Sequence, residues 1–126
     1  MGGGYGRRAQ LMRRGEIRIV DLEPSRGTEA PKRRPAVLVS NDGANRVAEH
    51  LGRGVVTVVP VTSNVATVYP FQVLLAATET GLRVDCKAQA EQVRSVAVER
   101  IGAHVGTVRG LLLTDLDDAL RLHLEL

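Results

Sequence analysis

The feature that most constrains the fold is a series of short strand-forming segments separated by turn residues. The clearest is residues 54–61, GVVTVVPV, which is dominated by β-branched residues. Pro60 near its end predicts a sheet edge or a bulge, because proline donates no hydrogen bond to a neighbouring strand. Other strands are predicted at residues 16–22, 34–40, 69–75, 81–88, 92–98 and 101–107. Five to seven short strands in about 95 residues predict a mainly β (α+β) fold, a small barrel or sandwich.

One of these strands follows three cations, in the sequence KRRPAVLVSND of residues 32–42. Pro35 fixes its own φ and holds Arg34 in an extended conformation. The apolar run after it is typical of a strand that is covered on both faces. An arginine held rigidly at the mouth of a β core is suited to bind a phosphate. The alternative is a solvated basic loop before an ordinary strand.

Residues 42–51 are predicted to form either a short helix or a loop, and Ser40, Asn41 and Asp42 are its candidate caps. The chain ends in a helix predicted from Thr114, as N-cap, to about Leu124, with Asp117 in the capping-box position. The region holds more leucines than one helix face can bury, and the surplus predicts a homodimer. They are Leu111, Leu112, Leu113, Leu116, Leu120, Leu122 and Leu124.

The charge distribution favours an anionic partner. Residues 1–53 hold 11 Lys and Arg against 6 Asp and Glu, whereas residues 54–126 hold 6 against 8. Arginine accounts for 15 of the 17 cations, and it is the better residue for bidentate phosphate contacts. Aromatic residues are only 2% of the chain, which leaves few rings to stack on nucleic-acid bases.

Several other classes of protein and site are not predicted. Residues 1–14 lack the apolar core of a secretory signal, and the single Cys86 suits a reducing cytoplasm. No apolar run is long enough to span a bilayer. The three histidines have no metal-ligand spacing, and there is no nucleophile elbow or phosphate-binding loop. We therefore predict a cytoplasmic protein with no metal and no cofactor, a flexible basic tail at 1–12 and one domain at 13–126.

The remaining candidates are polar residues at predicted strand ends, which can converge on one rim of a barrel. Five sequence blocks are informative when they are considered together. They are RRGEIRIVDLEPSRGTEA, RRPAVLVSND, VVPVTSN, YPFQVLL and AEQVRSV. With their spacing, they resemble the MazF/PemK family of toxin endoribonucleases over residues 13–126. The resemblance implies an SH3-like small β-barrel with a C-terminal α-helix, a MazF/CcdB-like fold, working as a homodimer. It also implies metal-independent cleavage of single-stranded RNA and a cognate antitoxin that blocks the RNA groove.

The resemblance assigns the catalytic roles to Arg34 of RRP and Thr62 of PVTSN. It places Thr28 and Glu29 in a loop around the RNA and Gln92 in the groove. Position 18, which is usually aromatic in the family, is Arg18 here. The full set of candidate RNA-binding residues is Arg26, Thr28, Glu29, Arg33, Ser40, Ser63, Asn64, Gln92 and Arg94. Loops 23–31 and 64–69 are the predicted readers of the RNA sequence.

The implied chemistry uses the nucleophile that RNA carries, the 2′-OH, and leaves a 2′,3′-cyclic phosphate and a 5′-OH. The resemblance implies messenger RNA as the substrate, with ribosomal or transfer RNA as alternatives. Arg34 is assigned charge stabilisation, and Glu29 and Glu91 are candidate bases by charge alone. Two rival functions stay open at this stage. One is a CcdB-like protein that binds DNA gyrase without cutting RNA, and the other is a non-catalytic RNA-binding barrel.

Overall fold

The predicted strands form one antiparallel sheet in a computed structural model that describes residues 12–23 and 32–126. Seven strands lie within these residues. They are β1 (Glu16–Glu23), β2 (Lys32–Leu38), β3 (Val55–Thr62), β4 (Gln72–Leu75), β5 (Cys86–Gln89), β6 (Arg94–Ala97) and β7 (Ile101–Thr107). The α-helices are α1 (Asp42–Leu51), α2 (Ala77–Thr80) and α3 (Leu111–Leu124), and two single 3₁₀ turns span Ala90–Gln92 and Val98–Arg100. The predicted mainly β fold with a C-terminal helix is confirmed.

The sheet runs in the order β4-β5-β3-β2-β1-β7, and β6 pairs with a second part of β3. Strand β3 therefore changes partner along its length: β6 pairs with it as far as Val58, and β5 pairs with it from Val61. Pro60 lies between these two registers, where its missing N–H interrupts neither ladder. The proline thus marks the place where β3 passes from one part of the curled sheet to the other.

Alternating residues of β1, β2 and β3 fill two separate cores, one on each face of the sheet. Val37 and Val59 belong to the core that α3 covers with Leu116 and Ala119. Ala36 and Leu38 belong to the other core. The run after Pro35 is therefore covered on both faces, as its apolar sequence predicts. Each fully buried Val or Leu in these cores contributes on the order of 1.5–3 kcal/mol relative to an exposed side chain.

The middle strands are shorter than predicted. Strand β4 begins at Gln72 and not at residue 69, since Gln72 accepts a hydrogen bond from the Tyr69 N–H at 3.1 Å and closes a turn. The segment predicted as a strand from residue 81 begins only at Cys86, after the unpredicted helix α2. Strand β6 likewise covers Arg94–Ala97, and the residues on either side of it form the 3₁₀ turns.

The C-terminal helix begins at Leu111, three residues before the predicted start. Gly110 is its N-cap, with φ of 60°, and the Thr114 hydroxyl donates to the Gly110 carbonyl within the first turns. The predicted Thr114 cap and the capping box are therefore wrong. Asp117 instead forms an ion pair with Arg14, which joins the helix to the chain before β1.

Helix α1 confirms the helical alternative for residues 42–51. Of the three candidate caps, Asn41 is the one used, and its side chain accepts a hydrogen bond from Ala44 N–H at 2.8 Å. Gly52 ends the helix in the left-handed conformation that glycine adopts most easily. No helix within the described ranges is long and apolar enough to cross a membrane.

Candidate active site

Arg34 stands near the start of β2, and its side chain is exposed. Pro35 follows it and pairs with Ile19 of β1, so the backbone that carries Arg34 is fixed in the sheet. Arg34 makes no hydrogen bond or ion pair with any residue of the described ranges. The guanidinium nevertheless lines two neighbouring pockets, which we name after Thr62 and Glu23. A rigidly based, unpaired guanidinium between two pockets is available to an anionic ligand.

The Thr62 pocket has a volume of about 480 Å³ and brings together the two residues with predicted catalytic roles. Its lining consists of Ile19, Arg34, Pro35, Val61, Thr62, Ser63, Leu82, Arg83, Val84, Cys86 and Val105. The β2–β3 register explains why Arg34 and Thr62 meet. Ala36 pairs with Pro60, so continuing this antiparallel register by two residues puts Arg34 opposite Thr62.

The Thr62 hydroxyl is half-buried and already positioned. Its oxygen accepts a hydrogen bond from the Asn64 N–H at 3.2 Å. The hydroxyl donates no hydrogen bond within the described residues, so its proton is available to a ligand in the pocket. Asn64 in turn accepts a hydrogen bond from Ala66 N–H at 3.3 Å, which shapes the loop that follows β3.

The Glu23 pocket, of about 220 Å³, lies on the other side of Arg34. Its lining consists of Leu22, Glu23, Lys32, Arg34, Pro60, Gln89, Gln92 and Arg94. Glu23 ends β1 and forms an ion pair of 3.0 Å with Lys32 at the start of β2. Lys32, by hydrogen bond and charge, together with the charges of Arg34 and Arg94, holds the pKa of Glu23 below its usual value. Together the two pockets expose four cations and one carboxylate among their described lining residues.

The structure places the other candidate residues as follows. Ser63 lines the Thr62 pocket, whereas Gln92 and Arg94 line the Glu23 pocket. Arg33 is exposed but lines neither pocket. The three candidates Arg26, Thr28 and Glu29 lie outside the described residues.

Ser40 lies apart from the pockets, although it follows the same strand as Arg34. Six residues of extended chain separate the two, a distance of roughly 20 Å. The Ser40 hydroxyl accepts from Thr57 N–H at 3.0 Å and donates to the Asn45 side chain. It therefore joins α1 to β3, and we leave it out of the site.

Two site residues, Glu23 and Arg83, are not among the individual residues predicted from the sequence, although Glu23 is the first residue of the predicted reader loop 23–31. Glu23 occupies a strand end that resembles any other, and Arg83 lies in a loop between α2 and β5. Their convergence follows from strand register and loop path, which neither composition nor spacing encodes. Lys32 differs, because the cationic cluster before Pro35 already marks it.

Glu91, a candidate base, forms a hydrogen bond with another side chain of the fold. Its Oε2 accepts a hydrogen bond from Gln72 Nε2 at 2.9 Å, and its Oε1 is buried without a partner among the described residues. It lines neither pocket. Cys86 is buried in the wall of the Thr62 pocket, and this burial raises the pKa of its thiol. The described residues contain no group of three or more His, Cys, Asp or Glu side chains that could hold a metal ion.

Arg18, at the position that is usually aromatic in the resembled family, is 7% exposed. Its guanidinium pairs with Glu16 at 2.8 Å and donates to the Gly102 carbonyl at 3.1 Å. It borders a pocket of about 600 Å³, shared with His104 and Glu49, that includes none of the candidate site residues. The buried arginine therefore joins β1 to β7 and gives no support to a role in RNA binding.

Comparison with known proteins gives a consistent result for sequence and for fold. The family described as "PemK-like, MazF-like toxin of type II toxin-antitoxin system" matches residues 13–124. Endoribonuclease MazF9 of Mycobacterium tuberculosis is 66% identical over 116 residues, which cover 92% of this chain and 98% of that protein. The MazF in a MazE–MazF crystal structure from Deinococcus radiodurans superposes with a TM-score of 0.72 at 27% identity, covering 92% of this chain and 97% of that one.

A mycobacterial endoribonuclease solved with its cognate antitoxin has the same fold. It superposes with a TM-score of 0.71 at 20% identity, covering 91% of this chain and 96% of that one. At this level of identity the likeness concerns the fold alone.

Proposed function

The chain belongs to the PemK-like, MazF-like toxins of type II toxin–antitoxin systems, and on that premise we propose that it is an endoribonuclease whose active site lies at Arg34 and Thr62. The substrate is single-stranded RNA, whose bases can be splayed out and read, as those of a duplex cannot. The product ends are a 2′,3′-cyclic phosphate and a 5′-OH. The enzyme works in the cytoplasm, where it arrests growth by cutting messenger RNA.

Arg34 carries the central part of this proposal. RNA supplies its own nucleophile, so the enzyme must align the 2′-OH with the neighbouring phosphorus and stabilise the negative phosphorane. A guanidinium is planar and permanently charged, and it matches two phosphoryl oxygens at once. The single observation that supports the role best is that Arg34 has no hydrogen bond or ion pair within the described residues while it borders both pockets.

Thr62 completes the site from the adjacent strand. Its oxygen accepts from Asn64 N–H, and its own proton is available for donation. It donates to a nonbridging phosphoryl oxygen or orients the 2′-OH. The Thr62 pocket and the Glu23 pocket then accept the nucleotides on either side of the scissile phosphate. Gln92, Arg94 and Ser63 contact these neighbouring nucleotides.

The same charges support a cognate antitoxin as the partner. The described lining of the two pockets has four cations against one carboxylate, so an extended acidic segment can compete with RNA for it. Two of the structures with this fold are described as complexes with an antitoxin or with MazE. Binding of such a segment would cover Arg34 and block cleavage.

The toxin acts as a homodimer. Strand β7 has a single neighbour, β1, among the described strands, and Leu111, Leu122 and Leu124 are 83%, 56% and 48% exposed. A two-fold pair through barrel strands and α3 would bury these leucines. Sedimentation at micromolar concentration should show a species of two chains, and a single species of one chain would rule the dimer out.

The deciding experiment is incubation of the purified protein with a long single-stranded RNA in the presence of a chelator. We expect discrete fragments with cyclic phosphate and 5′-OH ends, and far less cleavage by Arg34→Ala. Arg46→Ala is the matched control, because Arg46 is an exposed arginine of α1 that lines neither pocket. Intact RNA at stoichiometric protein would contradict the proposal, and inhibition of DNA gyrase by the same sample would favour the CcdB-like alternative.

A further inference from the structure

The Glu23 pocket contains a negative group in a site that has to bind a polyanion. Glu23 Oε2 lies 3.0 Å from Lys32 Nζ, and Arg34 and Arg94 line the same pocket. Glu23 and Lys32 are register partners next to a shift in the β1–β2 pairing, so the backbone fixes both at the entrance of the site. None of the cleavage steps proposed above uses this carboxylate.

We propose that Glu23 is a built-in counter-ion that competes with RNA phosphate for Lys32, Arg34 and Arg94, and so sets how tightly the site binds nucleic acid. The inference rests on the proposed function of the site. Before RNA arrives, the carboxylate neutralises part of the cationic cluster. A phosphate that enters the pocket has to displace it or share the cations with it.

The geometry of Glu23 and the charges around it both support this role. The side chains of Glu23 and Lys32 are 57% and 58% exposed, and exposed ion pairs are weak enough for another anion to replace. The lowered pKa of Glu23 has the charges of Arg34 and Arg94 among its causes, as well as the larger influence of Lys32. Because Glu23 and Arg34 also line the same pocket, the charge of the carboxylate acts on the guanidinium proposed for catalysis as well as on Lys32.

The test measures binding of a short fluorescein-labelled single-stranded DNA, which carries phosphates but no 2′-OH and so cannot be cut. Glu23→Gln keeps the size and shape of the side chain and removes its charge. We expect this variant to bind the DNA about fivefold more tightly than the unaltered protein at low salt. This factor corresponds to the Coulomb energy of two unit charges about 4 Å apart in water. The slope of log affinity against log salt should become steeper by about 0.7, the value of one further phosphate contact on a single strand.

The matched control is Asp118→Asn. Asp118 and Arg121 form an ion pair on α3 with nearly the same geometry, 2.9 Å between side chains that are 66% and 60% exposed. It lines neither of the two pockets, so neutralising it should change affinity and salt slope very little. A gain equal to that of Glu23→Gln would show that net charge alone is responsible, and it would overturn the inference.

The double variant Glu23→Gln with Lys32→Met separates competition from simple positioning of Lys32. If Glu23 competes through all three cations, its removal still tightens binding when Lys32 is already absent. If Glu23 only holds Lys32 in place, the double variant binds as weakly as Lys32→Met alone, and the inference fails.

Cleavage of RNA gives an independent readout. Glu23→Gln should reach half of its maximal single-turnover rate at an RNA concentration about fivefold lower than the unaltered protein needs, because the carboxylate acts on affinity. A loss on the order of 10²-fold in the maximal single-turnover rate, with unchanged DNA binding, would instead make Glu23 a general base and overturn the inference. Absence of cleavage by the unaltered protein would refute the proposed function, whereas the DNA-binding result would still decide the role of Glu23.

Discussion

Arg18 and Arg34 lie on neighbouring strands and have the same side chain, yet they occupy opposite environments. Arg18 is buried, paired with Glu16 and bonded to the Gly102 carbonyl. Arg34 is exposed and makes no hydrogen bond or ion pair within the described ranges. A cation whose donors are satisfied inside the fold contributes to stability, whereas one held rigidly with its donors free can act on a ligand. The following predictions use this difference.

Arg34→Ala should have the largest effect on activity. It removes the donors that we propose face the phosphorane, and a loss on the order of 10²–10³ in cleavage rate is expected. The melting temperature should stay nearly unchanged because the side chain makes no hydrogen bond or ion pair within the described ranges. Growth arrest on expression measures the loss of activity, and thermal unfolding of the purified variant measures its stability. A variant that fails to fold would contradict the contrast between Arg34 and Arg18.

Thr62→Ala should reduce the cleavage rate by about 10²-fold, since it removes the hydroxyl that we propose as a donor to the phosphate. Thr62→Ser is the matched control, because it keeps the hydroxyl that accepts from Asn64 N–H. The single-turnover cleavage rate of Thr62→Ser should be close to that of the unaltered protein, and both rates should be well above that of Thr62→Ala. Equal loss in both variants would mean that the methyl group, and not the hydroxyl, matters.

Arg18→Ala should lower the stability of the protein and leave cleavage nearly unchanged, the reverse of Arg34→Ala. It leaves Glu16 and the Gly102 carbonyl without the guanidinium, and removal of one partner of a buried pair costs about 3 kcal/mol of unfolding free energy. Cleavage per folded molecule should stay close to that of the unaltered protein. Denaturant unfolding measures the first effect, with the exposed Arg46→Ala as the control expected within about 0.5 kcal/mol. Unchanged stability of Arg18→Ala would remove the basis of the comparison.

The smallest expected effect concerns the reactivity of the Cys86 thiol, which lies in the wall of the Thr62 pocket. Its side chain is only 6% exposed and burial raises the pKa of the thiol, so little thiolate is present near neutral pH. Labelling with a disulfide reagent at mildly alkaline pH should be at least about tenfold slower than for a free thiol. Because the folded-state pKa is raised, the stability that this thiol contributes is present below its unfolded pKa and lost as the pH rises through the folded value.

Much of the fold could be predicted from the sequence, because alternation and turn residues act locally. The run after Pro35 and the β-branched residues of β3 indicate their own burial. The start of α3 could not be predicted in this way, since a threonine is favoured as an N-cap and yet can also bond back to the Gly110 carbonyl from the first turns. Strand β4 was also predicted too long, because the turn that stops it depends on the Gln72 side chain.

The candidate site was only partly predictable. Arg34 and Thr62 were found by resemblance to a family, and the β2–β3 register supplies the physical reason why they meet. Arg83 was not predicted, and Glu23 was predicted only as the first residue of the reader loop 23–31, because strand ends and loops that are far apart in sequence converge only after the sheet has curled. Ser40 shows the converse, since it belongs to the same sequence block as Arg34 but lies near the opposite end of the strand.

The central claim is that Arg34 stabilises the transition state and does not merely bind RNA. The most direct test is the single-turnover cleavage rate of Arg34→Lys at saturating RNA, because lysine keeps the charge and loses the planar fork. The account predicts that the variant still binds RNA but remains at least about 10²-fold slower than the unaltered protein. A rate near that of the unaltered protein once RNA is saturating would contradict it, and would reduce Arg34 to a binding residue.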